Sequence, residues 1–216
     1  MTPDPTGADP TGTTPTTPLP ISSAPFVAVA YYSGYGHTTP LAEAVRDGAI
    51  EAGAAAELIA VASISTEQWA LLDAADAIVF GAPTYMGSAA SAFHVFAEST
   101  SARWARRAWS DKLAAGFTMS GAMSGDKLHT LQYFAILAAQ HGMHWINLDL
   151  PAGWNSSTGS EHDLNRLGFS LGAAGQSPID VGVEGVSKAD VETARHLGRR
   201  VASCAARLTA RGHAEP

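Results

Sequence analysis

Cysteine and positive charge are both scarce in this sequence, and each shortage removes a class of function. Cys204 is the only cysteine among 216 residues, which excludes an internal disulfide framework and any zinc or iron–sulfur site with four cysteine ligands. Lysine and arginine together number 13 against 20 aspartate and glutamate residues, so the formal net charge is -7. The basic residues are dispersed apart from Arg103, Arg106 and Arg107, and no nucleic-acid partner is predicted. We expect an acidic cytoplasmic protein.

Long uninterrupted apolar runs are also missing, because charged or glycine-rich stretches cut each candidate. No membrane span is therefore predicted. The first 25 residues concentrate proline, threonine and glycine and lack the apolar block of a signal peptide, so we expect residues 1–25 to be a disordered tail.

Since 46% of the residues are hydrophobic, the chain can build one sizeable core. We place a single domain at 26–210 and a short C-terminal tail at 211–216.

The eight histidines do not form a metal-binding motif. No HExxH occurs, and His141 and His144 are too isolated from carboxylates and cysteine to complete a site. We therefore expect no metal.

Strand-like and helix-like segments alternate after the tail. Apolar runs predict strands at 26–31, 55–61, 77–81, 112–119 and 143–150, and helical spacing predicts helices near 41–53, 66–73, 89–98, 126–140 and 188–208. Five strands separated by helices predict an α/β fold with a doubly wound, five-stranded parallel sheet. Residues 151–186 show little periodicity, and we expect them to form an irregular surface excursion.

In such a sheet the loops that follow the strands gather at one edge, where ligands bind. Three of these loops, at 33–39, 83–88 and 119–125, are small and polar and contain glycine. The first belongs to the stretch FVAVAYYSGYGHTT, in which hydroxyl residues and glycines stand between a strand and the start of a helix. Unpaired backbone N–H groups and the helix dipole favour a phosphate there.

The first loop favours a terminal phosphate monoester over other phosphate ligands. No GxxxxGK[ST] motif occurs, so a P-loop is excluded. A dinucleotide-binding loop needs a third glycine where Thr39 stands, and it needs an acid at the end of the second strand, whereas Glu57 stands near its start. A monoester can accept hydrogen bonds from Ser33, Thr38 and several backbone N–H groups together.

The motifs YYSGYGHT, GAPTYMG, SGAMSG and AQHGM occur in this order from residue 31 to residue 143. As a set they resemble those of the flavodoxin-like NAD(P)H:quinone oxidoreductases of the WrbA type, and the resemblance covers nearly all of 26–142 and the closing helix. It implies a flavodoxin-like sheet of order 2-1-3-4-5, an FMN cofactor and NADH or NADPH as co-substrate. It also implies a quinone or similar flat acceptor and a homo-oligomer, either a dimer or a tetramer.

The resemblance also implies which residues bind FMN. Those expected around the ribityl phosphate are Ser33, Gly34, Tyr35, Gly36, His37 and Thr38. Those expected to border the isoalloxazine ring are Pro83, Thr84, Tyr85, Met86 and Gly87. Those expected to close its other side are Met119, Ser120, Gly121, Ala122, Ser124 and Gly125.

Three side chains are candidates for a catalytic role on the same ground. Tyr35 is expected near the nicotinamide, and His141 matches a histidine near the pyrimidine end of the ring. Trp104 matches a tryptophan over the ring, which often reaches a neighbouring subunit's site. The family's usual PTRFGN stands here as PTYMGS, so contacts to the ring or the substrate must differ.

Two other functions stay open at this level. A flavodoxin-type electron carrier has the same fold and acidic character but no nicotinamide site of its own. A flavin-free scaffold is the third alternative.

Overall fold

A β-sheet runs through the centre of the computed structural model, which describes residues 24–212. The strands in chain order are β1 (Phe26–Tyr31), β2 (Ala55–Ala60), β3 (Ala77–Tyr85), β4 (Ser88–Ala89), β5 (Leu113–Ser120), β6 (His144–Trp145) and β7 (Ala173–Gln176). The helices are α1 (Thr39–Glu51), α2 (Thr66–Ala74), α3 (Ser91–Ser99), α4 (Ser101–Ala105), α5 (Lys127–Gln140) and α6 (Lys188–Gly212), with one 3₁₀ turn at Val183–Gly185.

The two predicted tails lie mostly outside the described residues. Of the expected tail at 1–25 only residues 24 and 25 are described, and they precede β1 without regular structure. Of the expected tail at 211–216, residues 211 and 212 form the end of α6, and residues 213–216 lie outside the described part of the chain.

The strand order is β2-β1-β3-β5-β6, and all pairs along that path are parallel. β7 is a second parallel neighbour of β5, and β4 pairs with β3 as the return arm of an antiparallel hairpin. Because β4 is only a hairpin arm, this is the predicted doubly wound order 2-1-3-4-5. The predicted flavodoxin-like α/β fold is confirmed.

Alternate residues of β1 face opposite sides of the sheet, as the pleat of a strand requires. Val27 and Val29 belong to the core that α1 and α6 share with the sheet. Ala28 and Ala30 belong to the core on the other face, which α2, α3 and α5 cover. All four side chains are fully buried, which explains why this strand is apolar throughout rather than alternating.

The third strand is longer than the sequence predicted. The prediction ended it at Gly81, but β3 continues to Tyr85 and turns back into β4. Beyond Gly81, β3 no longer pairs with β1 and has β5 as its only parallel neighbour. Because no strand pairs with Pro83 on the β1 side, the N–H group that proline lacks costs no ladder hydrogen bond there. At the turn, Met86 and Gly87 have φ angles of 50° and 85°, as a type I′ hairpin requires.

The fifth strand was predicted as one segment at 143–150, and this is wrong. β6 covers only His144–Trp145, and at Asp149 the backbone adopts a left-handed φ of 54° that extended structure does not allow. The rest of the strand position beside β5 is taken by β7, which pairs with residues 117–120. The excursion at 151–186 therefore interrupts this strand, and it is not irregular throughout as predicted.

The other helices lie within a few residues of their predicted positions, and α4 is an additional short helix that was not predicted. Across residues 24–212, no helix combines the length and apolar character needed to cross a membrane.

Helices α1 and α6 cross with their backbones in contact, and glycines on both sides permit this. A Cβ built on Gly198 would overlap the carbonyl oxygen of Val45, and one on Gly48 would overlap that of Arg195. This close contact of the two helices allows the buried apolar side chains of α6, among them Leu197 and Val201, to pack against the sheet.

Replacing Gly198 with alanine should therefore separate the two helices. We expect the Gly198→Ala variant to lose about 2 kcal/mol of unfolding free energy, because an extra carbon in a packed contact forces backbone shifts. Urea denaturation measures the loss, and Ser203→Ala on the exposed face of α6 is the control. Equal stability of the two variants would contradict the crossing described here.

Candidate functional site

A cleft of about 540 Å³ opens at the edge of the sheet where β1, β3, β5 and β7 end. The residues that line it come from the three predicted loops and from one further segment: Tyr35, His37, Thr38, Pro83, Thr84, Tyr85, Met86, Met119, Ser120, Gly121, Ser177 and Ile179. An adjoining outer groove adds further residues of the predicted set, Gly87, Ala122 and Gly125, together with the carboxylates Asp126 and Asp180. The structure thus brings most of the predicted cofactor-binding residues together.

The first loop forms a cradle at the amino terminus of α1. The Ser33 hydroxyl accepts a hydrogen bond from the Thr38 N–H at 3.2 Å, and the Thr39 N–H donates to the Gly36 carbonyl at 3.0 Å. Gly36 has a φ of +89°, which a residue with a Cβ rarely adopts. The first turn of α1 contains no acidic residue, so no side chain within that turn offsets the positive end of the helix dipole. These features fit a phosphate monoester.

Two tyrosines stand at the mouth of the cleft. The rings of Tyr35 and Tyr85 meet edge to face, with their centroids 6.0 Å apart. Burial raises the pKa of Tyr85, and Tyr32 and Tyr35 raise it further, so its phenol keeps its proton at neutral pH. Met86 lies next to Tyr85 at the tip of the hairpin with its side chain fully exposed. The rim of the cleft is therefore aromatic and apolar.

Beneath the hairpin, three buried threonine hydroxyls form a chain of hydrogen bonds. Thr84 Oγ1 lies 2.8 Å from Thr118 Oγ1 and 2.7 Å from Thr130 Oγ1, and Thr118 Oγ1 donates to the Ala82 carbonyl at 2.8 Å. Each hydroxyl has one proton, so Thr84 donates to Thr118, and Thr130 donates to Thr84. The Thr84 hydroxyl thus stabilises the floor of the cleft from within.

The third loop is held from below through its carbonyl oxygens. Lys127 Nζ donates to the carbonyls of Ala122 and Met123 at 2.5 and 3.1 Å, and Gln176 Nε2 donates to the carbonyl of Gly121 at 2.8 Å. Within residues 24–212 no hydrogen bond uses the N–H groups of residues 121–125. Those N–H groups are available to a ligand.

The segment that follows β7 was not predicted to reach the site. Ser177 and Ile179 line the cleft, and His37 Nε2 donates to the Val181 carbonyl at 2.8 Å. The segment lies at this edge because β7 is parallel to β5 and ends beside it. Its strand is built from small residues, AAGQ, which lack the β-branched and aromatic types that favour strand prediction. The one feature of the sequence that could have indicated this strand is the run of small residues at 172–175.

Trp104 and His141 do not lie at this cleft within one chain. His141 follows the last residue of α5, whose 14 residues span about 21 Å from the end that faces the cleft. Both side chains line a separate groove of about 400 Å³ between α3, α4 and α5. The Trp104 side chain is 56% exposed there, whereas His141 is buried.

The contacts of His141 are those of a packed side chain. The Thr100 hydroxyl donates to the Ala97 carbonyl at 2.6 Å and therefore accepts from His141 Nε2 at 2.8 Å. The ring lies against that of Trp109, with centroids 4.6 Å apart. His141 Nδ1 is buried and has no partner within the described residues. Burial lowers the pKa of His141, because a second proton would be placed on that unpartnered nitrogen.

Among residues 24–212, histidine, cysteine, aspartate and glutamate side chains do not gather into a group of three that could hold a metal ion.

Comparisons with known proteins agree on a flavoprotein relationship. The model of the family described as NADPH-dependent FMN reductase matches residues 32–152. The chain is 43% identical over 182 residues to flavodoxin FldP of Pseudomonas aeruginosa, covering 84% of this chain and 97% of that protein. It is 30% identical over 204 residues to an NAD(P)H dehydrogenase (quinone) of Geotalea uraniireducens, covering 84% and 98%. A crystal structure of a WrbA-like flavodoxin from Agrobacterium tumefaciens matches with a TM-score of 0.67 at 41% identity, covering 85% and 98%.

The hydroxyl chain predicts the effect of removing Thr118, the member that donates to a backbone carbonyl. Thr118→Val preserves the shape but removes the donor to the Ala82 carbonyl and the acceptor of the Thr84 proton, so we expect unfolding free energy to fall by about 2 kcal/mol. Thr118→Ser keeps the hydroxyl and should lose less than 1 kcal/mol, roughly the value of one buried methyl group. Chemical denaturation of both variants checks this. A serine variant as unstable as the valine variant would show that the hydroxyl is not what matters.

His141 predicts a loss of stability in mild acid. Its pKa in the folded state lies below the ordinary value of 6.5, so above pH 6.5 its contribution is complete, and it is lost as the pH falls and the unfolded state binds the proton more readily. We expect the stability difference between the wild type and His141→Phe to shift against the wild type below about pH 6.5. Denaturation of both proteins across this range measures the difference. A stability difference that does not change with pH would contradict the conclusion that the His141 imidazole is buried and neutral.

Proposed function

The chain belongs to the family of NADPH-dependent FMN reductases, and from that membership we propose that it binds FMN in the cleft and passes hydride from NADPH or NADH through the flavin to a quinone or similar flat acceptor. The predicted relationship to NAD(P)H:quinone oxidoreductases of the WrbA type is confirmed by the relatives named dehydrogenases and by the WrbA-like structure. The observation that carries the proposal is a phosphate cradle and an aromatic-rimmed gap within one cleft.

The residues around the cleft divide into two groups by what they offer FMN. The hydroxyls of Ser33 and Thr38 would hold the phosphate at the amino terminus of α1, where hydroxyl donors combine with the positive end of a helix dipole. The carboxylates Asp126 and Asp180 in the outer groove would repel a phosphate there, which favours the α1 end for it.

The gap between the hairpin and the third loop would take the flavin ring. Tyr35 and Tyr85 would border it with their aromatic surfaces, and the N–H groups of residues 121–125 would donate to its polar edge. FMN when bound supplies the hydride chemistry itself, and the protein supplies orientation and shields the ring from water. No nucleophile or strong acid–base pair is needed in the chain for this reaction.

A flavodoxin-type electron carrier is the second candidate, and the 43% identity to flavodoxin FldP favours it. A carrier would use the same FMN site but would exchange electrons with a protein partner, and NADH or NADPH would not reduce its flavin directly. The family match to reductases and the dehydrogenases among the relatives favour the enzyme.

The proposal includes a homo-oligomer, either a dimer or a tetramer. The apolar side chains Val95, Trp104 and Ile136 are 65%, 56% and 60% exposed, and Trp104 and Ile136 line the groove beside His141. Burying this face against a second copy would remove apolar surface from water. Trp104 would then be available to a neighbouring copy's flavin, as the family resemblance implies. We also propose a cytoplasmic location, where the nicotinamide co-substrate is available.

A flavin titration followed by turnover tests the function. FMN added to the purified protein should lose fluorescence on binding and raise the melting temperature, as a ligand of the folded state does. Under anaerobic conditions the loaded protein should then oxidise NADPH or NADH over many turnovers only when a quinone is present. Absence of both binding signals would contradict the FMN site and favour a flavin-free scaffold.

Two glycine variants make the titration specific for the cradle. Gly36 and Gly53 have nearly equal φ angles of +89° and +87°, but only at Gly36 would a Cβ lie close to another residue, 3.1 Å from Val183. Alanine should strain both backbones to a similar degree. We expect Gly36→Ala to weaken FMN binding at least tenfold, or about 1.4 kcal/mol, and Gly53→Ala to bind as the wild type does. Equal affinities in the two variants would place the phosphate elsewhere.

A further inference from the structure

Lys127 is a lysine with no exposed surface, and the proposed reaction does not use it. It is the first residue of α5, directly beneath the third loop. An ammonium group withdrawn from water is unfavourable unless it is hydrogen-bonded. Its bonds go to the backbone carbonyls of Ala122 and Met123, so its burial serves the loop.

A buried polar network supports the same loop from its other side. Asp190 on α6 binds Arg166 through two bonds of 2.8 Å and accepts the N–H of Gln176 at 2.9 Å. The side chain of Gln176 then donates to the Gly121 carbonyl. The network connects α6, the excursion at 151–186 and β7 to the loop, and with Lys127 it fixes three successive carbonyl groups.

Fixing these carbonyls also fixes the N–H groups of the loop. In a trans peptide the carbonyl of one residue and the N–H of the next point in opposite directions. Because the carbonyls of residues 121–123 point to Gln176 and Lys127, the N–H groups of residues 122–124 point away from the network. Within residues 24–212 these N–H groups make no hydrogen bond. Successive free N–H groups of this kind bind anions and carbonyl oxygens.

We infer that Lys127 is a positioning residue for the ligand of the cleft: by holding the carbonyls of Ala122 and Met123 it orients the N–H groups of the third loop to receive the oxygen atoms of the cofactor. This inference rests on the proposed function for the identity of the ligand. The orientation of the loop itself is a property of the protein without ligand and can be measured separately.

The charge of Lys127 makes the role dependent on pH. Burial lowers the pKa of Lys127 to about 8, Asp190 acts to raise it, and Arg166 acts to lower it. Of the strands packed near α5, β4, β5 and β7 contain no titratable side chain, β3 contains Tyr85, and β6 contains His144 at the opposite edge. Hydrogen bonds from an ionised donor are roughly twice as strong as neutral ones. The loop is therefore held most firmly below about pH 8.

Lys127→Met tests the inference, with Lys112→Met as a matched control. Lys112 also donates to two backbone carbonyls, those of Asp73 and Ala75, but it precedes β5 at the edge of the sheet opposite the cleft. Methionine removes the charge and the donors with little change of volume, and Asp190 keeps Arg166 as its ion-pair partner, so the variant leaves no unpaired buried charge.

The first measurement is ¹⁵N NMR relaxation of the backbone without flavin, because N–H groups that make no hydrogen bond exchange rapidly in every variant. The order parameters of residues 121–125 should fall from about 0.85 in the wild type to below about 0.6 in Lys127→Met, and Lys112→Met should leave them unchanged. The second measurement is FMN affinity at about pH 7 and about pH 9, on either side of the lysine's pKa. Lys127→Met should bind FMN at least tenfold more weakly than the wild type at the lower pH. The difference in FMN affinity should be smaller at the higher pH, because Lys127 of the wild type loses its charge there.

Three results would overturn the inference. They are unchanged order parameters of the loop in Lys127→Met, equal effects of the two variants on FMN affinity, and a difference in FMN affinity between Lys127→Met and the wild type that does not depend on pH. If the wild type takes up no FMN at all, the proposed function fails, and the relaxation measurement alone decides whether Lys127 positions the loop.

Discussion

The parallel alignment of β1, β3, β5 and β7 is the constraint on which the site depends. Because these strands point the same way, each one delivers its following segment to the same edge of the sheet. The phosphate cradle, the hairpin, the third loop and the segment after β7 therefore meet although they are far apart in sequence. The two helical layers, closed on one face by the contact of α1 with α6, hold the strands in that alignment.

Local charge in the site differs from that of the whole chain. The formal net charge is -7, yet the helix start that faces the cleft has no acidic residue in its first turn. Beneath the third loop, the buried carboxylate of Asp190 forms an ion pair with Arg166 and also acts to raise the pKa of Lys127. The carboxylates Asp126 and Asp180 lie instead along the outer groove. This distribution favours an anionic group deep in the cleft and a neutral, flat group near its aromatic rim.

Local periodicity and the glycine and hydroxyl residues at strand ends were sufficient to predict β1 to the residue and the three loops that form most of the cleft, and the family resemblance supplied the order of the sheet. The sequence did not predict the extension of β3, because Pro83 normally marks the end of a strand and is tolerated here only through the loss of a neighbour beyond Gly81. It also missed Ser177 and Ile179, whose position depends on the long-range pairing of β7 with β5. Trp104 and His141 were assigned by a resemblance that also implied an oligomer, and in a single chain they lie in a separate groove away from the cleft.

Anaerobic mixing of the FMN-loaded protein with NADPH or NADH, without an acceptor, tests the central claim most directly. The claim is that this cleft holds a flavin that a nicotinamide reduces, so one nucleotide or both should bleach the absorption of the oxidised flavin, and a quinone added afterwards should restore it. Flavin that stays oxidised with both nucleotides, but is bleached by dithionite, would contradict the claim and identify an electron carrier.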